Sequence, residues 1–277
     1  MKALSTNQIA VANYPYGKYS LEYTLDSLER IGGKKLELYC CDPHCDDLTI
    51  SDIRNLKKKI GDHHLEVVCI TPEQCIYPVN IASKNIVARK RSLDVYVKCL
   101  ELANEMECSL CQFLSGFGCL DEEDGEVWKR SRDSLAYLAD IADSYGIDIA
   151  LETSPKSYTC LTNAKEVMQM IGEIGKKRLY GMLDTAVLGY SGEDVQDVIE
   201  ILGDKLRHVH FADGTPNGHL ILGEGELNLE YMLENLNKAL YPHILGLEIM
   251  NGTYVTEPEK AMESSFEWLK DKINGLQ

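Results

Sequence analysis

The chain has 277 residues, 44% of them hydrophobic, and its 28 Lys plus Arg face 44 Asp plus Glu for a formal charge of −16. The length fits one domain over residues 1–277, and a surface this acidic repels phosphate backbones and anionic lipid, which argues against nucleic-acid and membrane partners. No segment approaches the roughly 20 consecutive apolar residues of a membrane span, and the N-terminus MKALSTNQIAVANYPYG lacks the apolar core and cleavage site of a signal peptide, so a soluble, cytoplasmic protein is expected.

Strand and helix signals alternate along the whole chain, without a linker or low-complexity stretch between them. The first strand is predicted within QIAVAN; Ser20 then caps SLEYTLDSLERI, whose Leu21, Leu25, Leu28 and Ile31 recur at helical spacing. KKLELYC reads as the second strand, and Ser51 is the expected cap of SDIRNLKKKI. LEVVCI follows as the third strand. The long IVARKRSLDVYVKCLELANEM carries Val87, Leu93, Val97, Leu100 and Leu102 as a broad apolar face. CSLCQFLSG is the fourth strand, DEEDGE an acidic solvated loop, and VWKRSRDSLAYLADIADSYG a helix stopped by Gly146 before IDIALE. Thr162 or Asn163 caps AKEVMQMIGEIG, LYGMLD is the sixth strand, and GEDVQDVIEIL leads to LRHVHFAD as the seventh. NLEYMLENLNKAL and HILGLEI complete an eighth unit, and Glu257 and Pro258 open a closing helix. The pattern predicts an α/β protein, a single-domain (β/α)8 TIM barrel.

Four of these strands end on a metal-type residue: Glu152, Asp184, His210 and Glu248. A lone Glu at a strand end is ordinarily a solvated loop carboxylate, and Asp184 before Thr185 is equally a turn cap. Together the four meet at one mouth of a parallel barrel, where the chemistry of such folds resides, and the apolar residues before each give no other reason for charge. Two Glu, one Asp and one imidazole make a mostly oxygen site suited to Mn²⁺, with Co²⁺, Mg²⁺ and Zn²⁺ as alternatives, and with positions left for substrate. His208 lies two residues before His210, hence on the same side and one layer deeper, in a hydrogen-bonded role behind the metal.

The remaining candidates carry less weight. Most of the ten cysteines sit in apolar segments and read as small buried hydrophobes. Cys108 and Cys111 have CxxC spacing but no second pair, and Cys41, His44 and Cys45 in CCDPHC read as a loop bordering the mouth. Tyr14 and Tyr16 in NYPYG stand where aromatic rings can cover an apolar ligand face, or merely form a turn. Gly223 and Gly225 in LGEGEL suggest a loop needing free backbone torsions.

The set ALETS, MLDTA, LRHVHFAD, LGEGEL and GLEI resembles the xylose-isomerase-like barrel superfamily of sugar isomerases and epimerases. Within it, TPEQCIYPVN and GDKLRHVHFAD are most similar to the ketose 3-epimerases, those acting on fructoselysine-like ketosamines in particular. The resemblance implies that Glu152, Asp184, His210 and Glu248 are metal ligands, that Glu152 and Glu248 are the acid–base pair, that Glu73, Tyr77 and Asn80 belong to a substrate lid, and that the enzyme is a homodimer or tetramer. Epimerising a ketose beside its carbonyl removes a carbon-bound proton and returns one to the opposite face, so two bases must flank that carbon while the cation supports the cis-enediolate.

Departures from the family pattern bear on substrate. Sugar-specific ketose 3-epimerases carry a His three residues after the Asp ligand, where this chain has Val187, and an Arg after the His ligand, whereas no Arg follows Arg207. His219 is expected to take over that hydrogen-bonding role. A family Glu six residues after the first Glu ligand is replaced by Tyr158, with Ser157 beside it. These changes favour an amine-linked or otherwise modified ketose over a free one. The alternatives are an aldose–ketose isomerase, an inosose-type dehydratase and a non-catalytic metal-binding barrel; a DNA-repair endonuclease would want more than seven His and a basic groove.

Overall fold

A computed structural model describes residues 4–74, 79–216 and 218–276. Its strands are β1 Ile9–Ala12, β2 Lys35–Cys40, β3 Glu66–Pro72, β4 Leu110–Phe113, β5 Asp148–Leu151, β6 Leu179–Asp184, β7 Leu206–Phe211 and β8 Leu245–Leu247. They pair in parallel in sequence order, and β8 returns to β1 to close the barrel. The helices α1 Leu21–Arg30, α2 Ile50–Asp62, α3 Ile86–Met106, α4 Asp124–Tyr145, α5 Ala164–Ile174, α6 Thr185–Ser191, α7 Val195–Leu202, α8 Leu229–Lys238 and α9 Pro258–Gly275 accompany the strands. The alternation read from the sequence is this (β/α)8 arrangement, in which short strands are buried on both faces and therefore read as apolar runs.

Local differences have local causes. Helix α2 is capped by Thr49 rather than Ser51, because Thr49 accepts from the Asp52 N–H and Asp52 reaches back in a capping box. The end of the acidic DEEDGE stretch is the first turn of α4, where Asp124 and Glu126 complement the exposed N–H groups. Val87 lies in the first turn of α3 and is 73% exposed, so it is not part of that helix's apolar face. Helix α6 was not foreseen; Asp184 caps it, accepting from the N–H groups of Ala186 and Val187. Asn163 is the cap of α5. No helix among the described residues is long and apolar enough to cross a membrane.

Side chains on a strand repeat every two residues, so the barrel interior is built in layers. Cys69, Leu110, Ala150 and Met182, from β3 to β6, form one buried apolar cluster. Thr71, Gln112, Glu152 and Asp184 each lie two residues further along, toward the C-terminal ends. Across the interior, Glu37, His208 and His210 replace apolar filling, and all three are fully buried. Gly246 makes room for them: a Cβ there would sit 2.3 Å from Glu37 Oε2 and 3.3 Å from His208 Nε2.

Candidate metal centre and active site

Glu152, Asp184, His210 and Glu248 converge at the C-terminal mouth, each offering a ligand atom within 4.8 Å of the others, and all four are buried. The helix cap orients Asp184: its Oδ1 accepts from Ala186 N at 2.7 Å and Val187 N at 3.3 Å, which directs Oδ2 to the centre. Glu152 Oε2 accepts from Gln112 Nε2, Gln112 Oε1 from Gln74 Nε2, and Gln74 Oε1 from Tyr96 Oη at 3.0 Å and from Leu114 N at 2.7 Å. This polar chain runs through the wall from the mouth to α3 and locks the carboxylate. Buried polar groups so fully satisfied define one geometry.

His210 is held from behind. Its Nε2 lies 2.7 Å from Glu37 Oε1, while Glu37 Oε2 lies 2.9 Å from His208 Nε2. Thr71 Oγ1 and Tyr14 Oη also donate to Glu37 Oε1, at 2.8 Å and 3.2 Å. Burial disfavours the charge on Glu37, yet the imidazoles of His210 and His208 hold its carboxyl well below the usual range. A carboxylate on the far nitrogen fixes an imidazole's tautomer and aims the other nitrogen outward. Nδ1 of His210 is thereby aimed at Glu248 Oε2, 2.8 Å away, and 3.5 Å from Glu152 Oε1.

That contact is not aligned as a hydrogen bond, and both His210 Nδ1 and Glu248 Oε2 are buried polar atoms without a hydrogen-bond partner among the described residues. His219 Nε2 adds a further nitrogen, 2.9 Å from Asp184 Oδ2 and 3.0 Å from Glu248 Oε2. Lone pairs gathered this closely require protons or a cation among them. The buried carboxylates and imidazole fit a divalent ion, and the orphaned atoms face its position.

The two glutamates sit in unequal environments. Burial raises the Glu152 carboxyl to about 7, with the Glu248 and Asp184 charges adding and His210 opposing. Burial works the same way on Glu248, but His210 and His219 outweigh it and hold the carboxyl well below the usual range. Burial opposes protonation of His210 and His219, and the surrounding carboxylates, Glu248 first, raise both well above the ordinary value. Before a cation enters, one glutamate therefore retains a proton near neutrality and the other is ionised, an environment-set division of acid and base.

His219 reaches the centre from the loop after β7. Asp213, buried at its base, accepts at Oδ1 from Gly214 N at 2.8 Å and Leu227 N at 3.2 Å, and at Oδ2 from Gly223 N at 2.9 Å and Gly225 N at 3.0 Å. Gly223 adopts φ +91°, and a Cβ on Gly225 would lie 2.2 Å from Asp213 Oδ1, so one glycine serves a torsion and the other a close approach. Beside the centre opens a cavity of about 480 Å³ lined by Glu152, Asp184, Glu248, His219, Tyr158 and Val187 among others.

The remaining sequence candidates lie elsewhere. Tyr14 is buried against Glu37, with its ring stacked on Tyr39 at 4.9 Å, and lies behind His210 rather than along the cavity. Glu73 accepts from Tyr39 Oη and borders a neighbouring cavity with Cys41 and Arg91. Asn80 bonds the 116–118 loop, its Oδ1 accepting from Phe117 N at 3.1 Å and its Nδ2 donating to Phe117 O at 2.8 Å. Tyr77 lies outside the described residues. His208 backs Glu37 from below, as placed by its spacing from His210. His44 is engaged by Asn13 Nδ2 at 2.8 Å, Thr24 Oγ1 at 3.2 Å and Tyr19 O at 3.1 Å, as a loop residue. Cys108 and Cys111 are buried free thiols. Glu37 and Gln112 were not singled out from the sequence; the available signal was a charged or amide side chain inside a strand otherwise buried on both faces.

Comparison with known proteins gives the family. The sequence model of the xylose isomerase-like TIM barrel matches residues 25–272. The chain belongs to that family. Fructoselysine 3-epimerase of Escherichia coli O157:H7 is 26% identical over 243 residues, covering 86% of this chain and 88% of its own. A putative hydroxypyruvate isomerase of Streptomyces coelicolor is 26% identical over 176 residues, 61% of this chain and 60% of its own. Among solved structures, an L-ribulose 3-epimerase superposes with a TM-score of 0.82 at 20% identity, covering 96% of this chain and 94% of its own, a likeness of fold. Epimerases and isomerases recur among these relatives, which supports an isomerase enzyme.

Proposed function

We propose that the protein is a divalent-metal-dependent epimerase acting at C3 of a ketose or ketosamine, with Glu152 and Glu248 as the proton-transfer pair. The observation that carries this reading is the pair itself: two buried carboxylates, after β5 and β8, converging beside one cavity. One face of a substrate carbon can then give its proton to one glutamate while the opposite face receives a proton from the other. Glu152, Asp184, His210 and Glu248 would hold the cation, with Mn²⁺ the first candidate. When bound, such a cation supplies charge neutralisation at the carbonyl oxygen beside the carbon that loses its proton. Glu37 keeps Nδ1 of His210 facing that position, Gln112 fixes Glu152, and His219 offers a hydrogen bond over Asp184 and Glu248. The similarity to fructoselysine 3-epimerase supports the C3 position and an amine-linked sugar. The similarity to a putative hydroxypyruvate isomerase supports aldose–ketose isomerisation as the second reading, which differs in the carbon reprotonated.

The test is NMR of fructose, psicose, tagatose and fructoselysine incubated in D₂O with Mn²⁺-loaded enzyme, the metal being chelated before recording. Deuterium at C3 with formation of the 3-epimer is expected. An aldose product, with deuterium at its C2 and at C1 of the recovered ketose, would select the second reading, and neither exchange nor a new sugar from any substrate would overturn both. Glu152→Gln and Glu248→Gln are each expected to abolish exchange while the barrel stays folded; turnover like the parent's in Glu248→Gln removes that residue from the pair.

A further inference from the structure

The cavity beside the centre has two unlike sides. Its polar groups are those of the centre, Ser154 and the hydroxyls at the tips of Tyr158 and Tyr190, and among the described residues no Lys or Arg lines it. The opposite wall is made by Pro155 and Tyr158 after β5, Val187 and Tyr190 on α6, and Met250 after β8. Tyr158, Tyr190 and Met250 remain 44%, 52% and 45% exposed, an unusual clustering of large apolar side chains around one opening. A free ketose carries a hydroxyl on nearly every carbon, and those facing the ring faces, Pro155, Val187 and Met250 would lose water without gaining partners. Two phenol rings and a thioether suit a methylene chain, and ring faces next to buried carboxylates suit a cationic group borne on it.

We propose that this wall is a subsite for the non-sugar part of the substrate, an alkylammonium or amino-acid group linked through nitrogen to C1 of the ketose. The proposal rests on the reaction assigned above to Glu152 and Glu248. Tyr190 is its specificity-determining residue: it stands on the exposed side of the seven-residue helix α6, whose first turn is pinned by Asp184, so its ring edges the opening beside the centre.

The experiment has two readouts. Calorimetry follows binding of fructoselysine reduced to its sugar alcohol, which has no carbonyl and cannot react, to the Mn²⁺-loaded protein and to its Tyr190→Ala and Tyr190→Phe variants. Deuterium exchange gives kcat/KM for fructoselysine and for fructose. Affinity for the reduced compound is expected to fall about tenfold in Tyr190→Ala and to be retained in Tyr190→Phe, with the kcat/KM ratio of fructoselysine to fructose falling by a similar factor. An equal loss for both sugars, or parental affinity in Tyr190→Ala accompanied by a change of oligomeric state, would overturn the subsite and assign the wall to a subunit contact. Loss of affinity in Tyr190→Ala without exchange from any sugar would uphold the subsite and overturn the epimerase reading instead.

Discussion

Replacing Glu37 by Gln tests whether the carboxylate behind His210 tunes the metal centre. The substitution conserves volume, so no cavity opens in the fully buried barrel interior. It removes the charge that His210 Nε2 and His208 Nε2 meet at 2.7 Å and 2.9 Å, and it sets an amide NH₂ against one of them. If the amide oxygen faces His210, the NH₂ meets His208, whose proton can move to Nδ1, a buried atom that has no hydrogen-bond partner among the described residues. Hydrogen bonds to a charged group are worth about 1 kcal/mol more than neutral ones. Two such bonds give about 2 kcal/mol, a loss of roughly 10- to 100-fold in metal affinity. The assay is calorimetric titration of the metal-free protein with Mn²⁺, with thermal unfolding of the same sample to confirm the fold. An affinity within twofold of the parent's in a folded variant would refute the argument that Glu37 sets the basicity and aim of His210.

Metal affinity is expected to rise with pH through 7 and beyond, because a cation at the centre must displace the proton that Glu152 holds up to about 7 and the one that the surrounding carboxylates keep on His210; titrations in buffers of different ionisation enthalpy at pH 6 should show proton release, and none would contradict the raised groups. For the metal-free fold the sign is the reverse: a carboxyl raised from 4.5 to about 7 contributes stability that is present below 4.5 and is lost as pH rises through 7, which urea titrations across that range measure. Gly225→Ala is expected to cost about 2 kcal/mol or more, since its Cβ would lie 2.2 Å from Asp213 Oδ1 and 2.6 Å from Gly214 N, and backbone cannot yield as a flexible side chain does. The same change at Gly61 in α2, where a Cβ meets nothing within 4 Å, should stabilise by about 0.5–1 kcal/mol, so equal unfolding midpoints for the two variants would defeat the close-approach account.

What the sequence determined is what local chemistry can carry. Apolar runs alternating with helical periodicity specify repeated βα units, and the residue that closes each late strand, Glu152, Asp184, His210 or Glu248, is legible because its neighbours are apolar and its place in the unit repeats. Caps were legible where one good acceptor stood alone, as at Ser20, and ambiguous where Thr49 and Ser51 competed, since a capping box depends on which residue reaches the third N–H. The helix after Asp184 was hidden because TAVLGYS spans only seven residues, too short to show a period. Tertiary structure alone decided the rest. Glu37 and His210 are 173 residues apart and on strands that do not pair, and they meet only because closing the barrel directs both side chains into one lumen. The same closure places Gly246 where Glu37 needs space, sets Tyr14 edge-on to His210, and turns Tyr158, Tyr190 and Met250 from three separate segments toward one opening. Residue spacing along a strand states which side a group faces, whereas the partner it finds there depends on the shear and closure of all eight strands together.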